Sequence, residues 1–127
     1  MKVRIMGDSL RLRLSCSEVA RLLEGDCLEE TIHFAPEACA RFSYSLRGDS
    51  LVTSPIVQYG ENKVTVLIPS DQANTWGATD QVGIAEDISL GDLGTLALFL
   101  GKDFACLDRS EDDNEDTFPN PNVGTTC

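Results

Sequence analysis

In "VRIMGDSLRLRLSCSEVARLLEG", residues 3–25, an apolar period of two gives way to a helical one. Val3 and Ile5 point one way; after Gly7 and Asp8 the alternation resumes at Leu10, Leu12 and Leu14. Glycine takes a positive φ at no steric cost, so Gly7–Asp8 suits the two-residue turn of a β-hairpin. That turn pairs Ile5 with Leu10 and Val3 with Leu12 on a core face. The same register pairs Arg4 with Arg11 and Lys2 with Arg13 on the other face. Ser15 and Glu18 follow at capping-box spacing, where each side chain satisfies a free N–H at a helix start. Val19, Leu22 and Leu23 supply the apolar stripe of a short helix, and Gly25 its stop.

The same grammar runs outward from this segment. "CLEETIHF", "RFSYSLR", "LVTSPIVQY" and "KVTVLI" read as strands, with Pro55 marking an edge or a bulge. "PSDQANTWGAT" reads as a second short helix, anchored by Trp76. "DQVGIAED" and "GTLALFLGKDF" close the series as strands on either side of a Gly-rich turn. The order is β-β-α-β-β, given twice. A shift of 54 lays Leu10, Leu12 and Leu14 over Val64, Val66 and Ile68, Leu22 over Trp76, Asp26 over Asp80, and Leu28 over Val82. The matching apolar phases predict a structural duplication. The expected fold is α+β: a curved, mainly antiparallel sheet with two short helices, able to close into a barrel-like body. One domain is expected over residues 1–104, with an acidic tail containing Pro and Asn over 105–127.

Charge narrows the partners. The chain of 127 residues carries a formal charge of −11. Residues 103–127 hold seven acids against Arg109 alone. Such an excess of acid opposes general affinity for nucleic acid or anionic membranes, both of which recruit cations. No apolar run approaches membrane-spanning length, and the N-terminus alternates where a signal peptide needs an uninterrupted apolar centre. Five cysteines (Cys16, Cys27, Cys39, Cys106, Cys127) form no C-x-x-C pair and are odd in number. Free thiols in a reducing cytoplasm are the expectation. Cys27, Cys39 and Cys106 read as small apolar filler, and Cys127 as the thiol most open to cross-linking.

"RIMGDSLRLRLSCSEV", "TDQVGI" and "KDFACL", followed by acidic pairs and "FPNPN", resemble a family of short bacterial proteins of unknown function. The resemblance covers nearly the whole chain. It implies bacterial origin and a stand-alone domain, and it carries no activity or functional residues.

Several chemistries find little support. His33 is the sole histidine, and it shares the polar face of its strand with Glu29 and Thr31. No nucleophile motif accompanies it, and neither the nucleophile elbow nor the phosphate-binding glycine loops occur. An enzyme is therefore the least supported class, and no cofactor is expected. Asp112, Asn114 and Asp116 reproduce the opening of a calcium loop. The match fails where Thr117 replaces the turn glycine and Val123 the bidentate glutamate. A metal- or thiol-dependent protein centred on Cys106 and the acidic tail is thus an alternative reading. Acids at 111–116 read as a solvated tail, with Phe118 placed as a lone apolar anchor.

The cationic face of the first hairpin is the sharpest functional signal. Lys2, Arg4, Arg11 and Arg13 are four of the nine cations before residue 103. Like charges opposed across strands destabilise a sheet, and a nearby anion relieves them. The leading expectation is a non-catalytic cytosolic binding or assembly protein that meets a protein or an anionic small molecule there. An enzyme acting on a small anionic ligand at this face is a further alternative. The acidic stretch ending at Phe118 is expected to lie close to the same face.

Overall fold

The computed structural model describes residues 1–103 and Phe118. In chain order the elements are β1 (Lys2–Ile5), β2 (Ser9–Leu14), α1 (Cys16–Leu23), β3 (Leu28–His33), β4 (Arg41–Asp49), β5 (Ile56–Gly60), β6 (Lys63–Pro69), α2 (Ser70–Ala78), β7 (Gly83–Ser89) and β8 (Thr95–Lys102). One turn of 3₁₀-helix, Gly91–Leu93, lies in the last hairpin. The strands form two four-stranded sheets, in the orders β1-β2-β8-β7 and β3-β4-β6-β5. Consecutive strands pair antiparallel within hairpins, and each sheet is joined at its centre by a parallel pair, β2 with β8 or β4 with β6. The α+β, mostly antiparallel expectation holds. Closure into a barrel does not: each sheet keeps two edge strands. Periodicity within a strand cannot say which hairpins pair, so the sequence could not settle closure.

The chain divides into two compact units, one of Met1 with Ala20–Gln81 and one of Lys2–Val19 with Val82–Cys127. The second sheet belongs to the former, the first sheet to the latter.

The two sheets repeat one another in detail. Adding 54 to β1 and β2 gives β5 and β6, and subtracting 54 from β8 gives β4, so the first order maps onto the second read backwards. Leu10 pairs with Leu98 in the first sheet; 54 residues away from each, Val64 pairs with Tyr44 in the second. Lys2 with Arg13 becomes Ile56 with Leu67. Only the β3 and β7 correspondence departs from this shift. Leu28 opposes Leu46 and Ile84 opposes Leu100, so Leu28 matches Ile84, not Val82. Burial gives the reason: Leu28 and Ile84 are both 2% exposed, whereas Val82 is 50% exposed. Each sheet takes one hairpin from the first half of the chain and one from the second.

Local structure follows the sequence signals. Met6 N–H donates to the Ser9 carbonyl across the first turn, where Gly7 has φ 54°. The capping box forms: Ser15 N–H donates to Glu18 Oε1 at 3.0 Å and Glu18 N–H to Ser15 Oγ at 3.4 Å. At the other end Gly25, at φ 95°, lets its own N–H reach the Leu22 carbonyl and the Asp26 N–H reach that of Arg21. This pair of bonds satisfies carbonyls that a helix end otherwise leaves unpaired. Trp76 and Ala73 of α2 are buried, and α2 meets β4 and β6. Gly77 gives the Leu23 side chain room, since a Cβ there would stand 2.6 Å from Leu23 Cδ1.

Two apolar expectations fail on burial. Cys27 and Cys39 are exposed, because both lie in connections outside the strands that bury filler. Ile32 and Phe34 share the phase of Leu28 but are 48% and 67% exposed, so β3 buries only its first residue.

Candidate anion-binding face

Leu10, Leu12 and Leu14 of β2 are buried, which turns Ser9, Arg11 and Arg13 to the opposite face. The hairpin register sets Arg4 opposite Arg11 and Lys2 opposite Arg13, as the turn at Gly7 requires. The parallel pairing with β8 extends these rows: Ser9 to Ala97, Arg11 to Phe99, Arg13 to Gly101. β7 completes them with Asp87, Ala85 and Gly83. The exposed face therefore carries a row Arg4–Arg11–Phe99–Ala85, flanked by Ser9–Ala97–Asp87 on one side and Lys2–Arg13–Gly101–Gly83 on the other.

Phe99 is held flat by the glycines beside it. A Cβ on Gly83 would stand 2.5 Å from Phe99 Cζ, and one on Gly101 would stand 2.7 Å from Cε1. Only bare backbone lets the ring lie down across that strand pair. The Arg11 guanidinium sits over the ring, 4.9 Å from its centroid. The ring's negative face attracts the cation, worth about 0.5–1 kcal/mol at exposed sites, and so steadies Arg11 against the repulsion of Arg4.

The four cations are not equivalent. Lys2 Nζ bonds Asp103 Oδ2 at 3.0 Å, and that carboxylate side chain is only 8% exposed. Lys2 is thereby committed within the fold. Arg4 and Arg11, with Ser9, Phe99 and Asp87, line a shallow depression of about 380 Å³. Arg13 shares the face without lining it. Among the described residues no ion pair engages Arg4, Arg11 or Arg13. Phe99, Asp87 and the two glycines were absent from the sequence expectation. The available signal was a lone Phe in the Ala97–Phe99–Gly101 phase of "TLALFLGK", opposite Leu96, Leu98 and Leu100.

The matching positions of the second sheet are chemically different. Arg4, Arg11 and Phe99 correspond to Gln58, Thr65 and Ser45. There hydroxyls bond one another, Thr31 Oγ1 with Ser43 Oγ at 2.8 Å and Ser45 Oγ to Thr65 Oγ1 at 3.2 Å. Lys63 is ion-paired with Glu29. The hydrogen bond that Lys63 donates to Glu29 raises the Lys63 pKa above its ordinary value.

His33 is exposed on β3 and pairs in register with Arg41. Among the described residues no group of three His, Cys, Asp or Glu side chains gathers as a metal site. Cys106, Asp112, Asn114, Asp116 and the acidic stretch up to Thr117 lie outside the described residues. Phe118, which ends that stretch, donates its N–H to the Asp103 carbonyl at 2.8 Å. Its ring centroid is 5.3 Å from Lys102 Nζ, and Lys102 has the phase of Leu98 and Leu100, opposite to Phe99.

The chain belongs to a family of unknown function (DUF7009), whose model matches residues 1–122. No curated protein and no solved structure matches it. No helix among the described residues is long and apolar enough to cross a membrane.

Proposed function

We propose that this member of a family of unknown function is a non-catalytic binding or assembly module that receives an anionic group at the face of Lys2, Arg4, Arg11 and Arg13. The group belongs to a protein or to a small molecule, and nucleic acid and membrane are not its targets. One observation carries the reading. Two arginines pair directly opposite each other in register on β1 and β2, and both line the depression, the Arg11 guanidinium steadied on Phe99. A carboxylate or similar oxyanion placed between them relieves their repulsion and accepts the paired N–H donors that arginine presents. In a chain of charge −11 such a cluster stands out locally against the surrounding field.

Binding is favoured over catalysis by the lining, in which the one hydroxyl, Ser9, is separated from the one carboxylate, Asp87, by β8. We place the protein in a reducing cytoplasm, that of a bacterium as the resemblance implies. Cys27 and Cys39, both exposed free thiols, support that setting. Calorimetric titration of the full chain with glutarate and with inorganic phosphate, at low ionic strength, tests the reading. Binding should vanish in Arg4→Ala/Arg11→Ala. It should also weaken with salt, because the screening length falls from about 10 Å at 0.1 M to about 3 Å at 1 M. Binding that survives the double substitution, or no binding by wild type, would refute it.

A further inference from the structure

We infer that the depression takes a compact dipolar ion, an amino carboxylate whose carboxylate groups meet Arg4 and Arg11 and whose ammonium meets Asp87. The inference rests on the anion-binding reading above and adds the ligand's second pole. Asp87 lines the same depression from β7, on the far side of β8 from Arg11. Among the described residues it has no ion-pair partner. Neighbouring strands are about 4.8 Å apart, so β2 and β7 stand roughly 10 Å apart. Arginine reaches across most of that gap, leaving the length of a small molecule between the two signs of charge.

The floor suits such an occupant. Ala85 and Ala97 carry the smallest side chains, so the middle of the face is low. Met6 and Phe99 offer apolar flanks to a methylene stem, and Ser9 a hydroxyl. The volume of about 380 Å³ lies in the range of small-molecule sites. Two guanidinium groups and one carboxylate complement a ligand with two carboxylates and one ammonium, the charge set of an acidic amino acid. A polyanion fits less well, because a carboxylate forming one side of the site repels it.

The experiment compares L-glutamate with glutarate, which has the same carbon chain and two carboxylates but no ammonium, and with tripolyphosphate. Each is titrated at low ionic strength into wild-type protein and into Asp87→Asn, a substitution at an exposed strand position. Wild type should bind glutamate most tightly. Asp87→Asn should weaken glutamate about tenfold, a loss of about 1.4 kcal/mol, while glutarate and tripolyphosphate bind unchanged or more tightly. If glutarate binds wild type as well as glutamate does, or Asp87→Asn strengthens all three, the dipolar ligand is wrong and the anion-binding reading survives. If no probe binds, or binding ignores Arg4→Ala/Arg11→Ala, both readings fall together.

Discussion

Arg11 in the first sheet and Thr65 in the second occupy one register position in a repeated plan, and their surroundings have diverged. Around Arg11 the face holds a second arginine, a flat aromatic ring and two glycines beneath it. Around Thr65 it holds serine and threonine hydroxyls that satisfy one another, with Lys63 neutralised by Glu29. Strand order and parallel register came through unchanged. The difference teaches that the buried face, Leu12 and Leu14 matched by Val66 and Ile68, is what the shared plan fixes. The opposite face has diverged: in the first sheet it is exposed and cationic, whereas in the second Ser45 and Leu67 are buried on it.

The interleaved plan makes the two halves depend on each other. Because each sheet takes a hairpin from each half, a cut between Asp49 and Ile56 should leave neither half able to form a folded monomer. Circular dichroism should show no cooperative melt for the fragment of residues 1–54 alone, and recovery when both halves are mixed. A cooperative melt from that fragment as a monomer would break the interleaved plan.

Next in size is the glycine cradle, which only the first sheet has. Gly83→Ala brings a Cβ to 2.7 Å from the Leu100 carbonyl oxygen as well as onto the Phe99 ring. Overpacking of this kind should cost about 1–3 kcal/mol. Gly60→Ala, in the second sheet, meets nothing within 4 Å and should stay within about 0.5 kcal/mol of wild type. Denaturant melts of both variants make the comparison, and equal costs would sink the cradle.

A smaller effect separates the shift-related turns. Gly7 and Glu61 sit 54 residues apart with φ of 54° and 52°. Glycine pays nothing there, whereas a side chain in this region costs about 1–2 kcal/mol. Glu61→Gly should therefore raise stability by roughly 1 kcal/mol, after the entropy a glycine adds to the unfolded chain. Gly7→Glu should lower it by a similar amount. Thermal melts that moved the other way would show that the two turns are not equivalent.

The smallest effect is a pH dependence. Folding raises the Lys63 pKa, so the stabilisation is complete below the unfolded value near 10.5 and is lost as pH rises through the folded one. The melting temperature should fall slightly more steeply in wild type than in Lys63→Met above that pH. Identical slopes would show that the pair with Glu29 does not persist in solution.

Much of this fold is legible in the sequence. The Gly7 turn fixed the pairing of Arg4 with Arg11, and Ser15, Glu18 and Gly25 marked both ends of a helix, because these signals act between residues close in sequence. The shift of 54 was visible in apolar phase, yet it slipped by two at β3, where Val82 is apolar but not buried. Phe99 and Asp87 escaped because β2 meets β8 across more than 80 residues, and nothing local to either strand encodes that neighbour. Openness of the sheets was hidden for the same reason.

One face of one sheet is proposed as the receptor. A heteronuclear NMR titration of the full chain with L-glutamate at low ionic strength tests this most directly. Amide shifts should concentrate at Arg4, Ser9, Arg11, Asp87, Ala97 and Phe99, with Gln58, Lys63 and Thr65 left in place. Shifts of equal size at the second set, or none at the first, would contradict it.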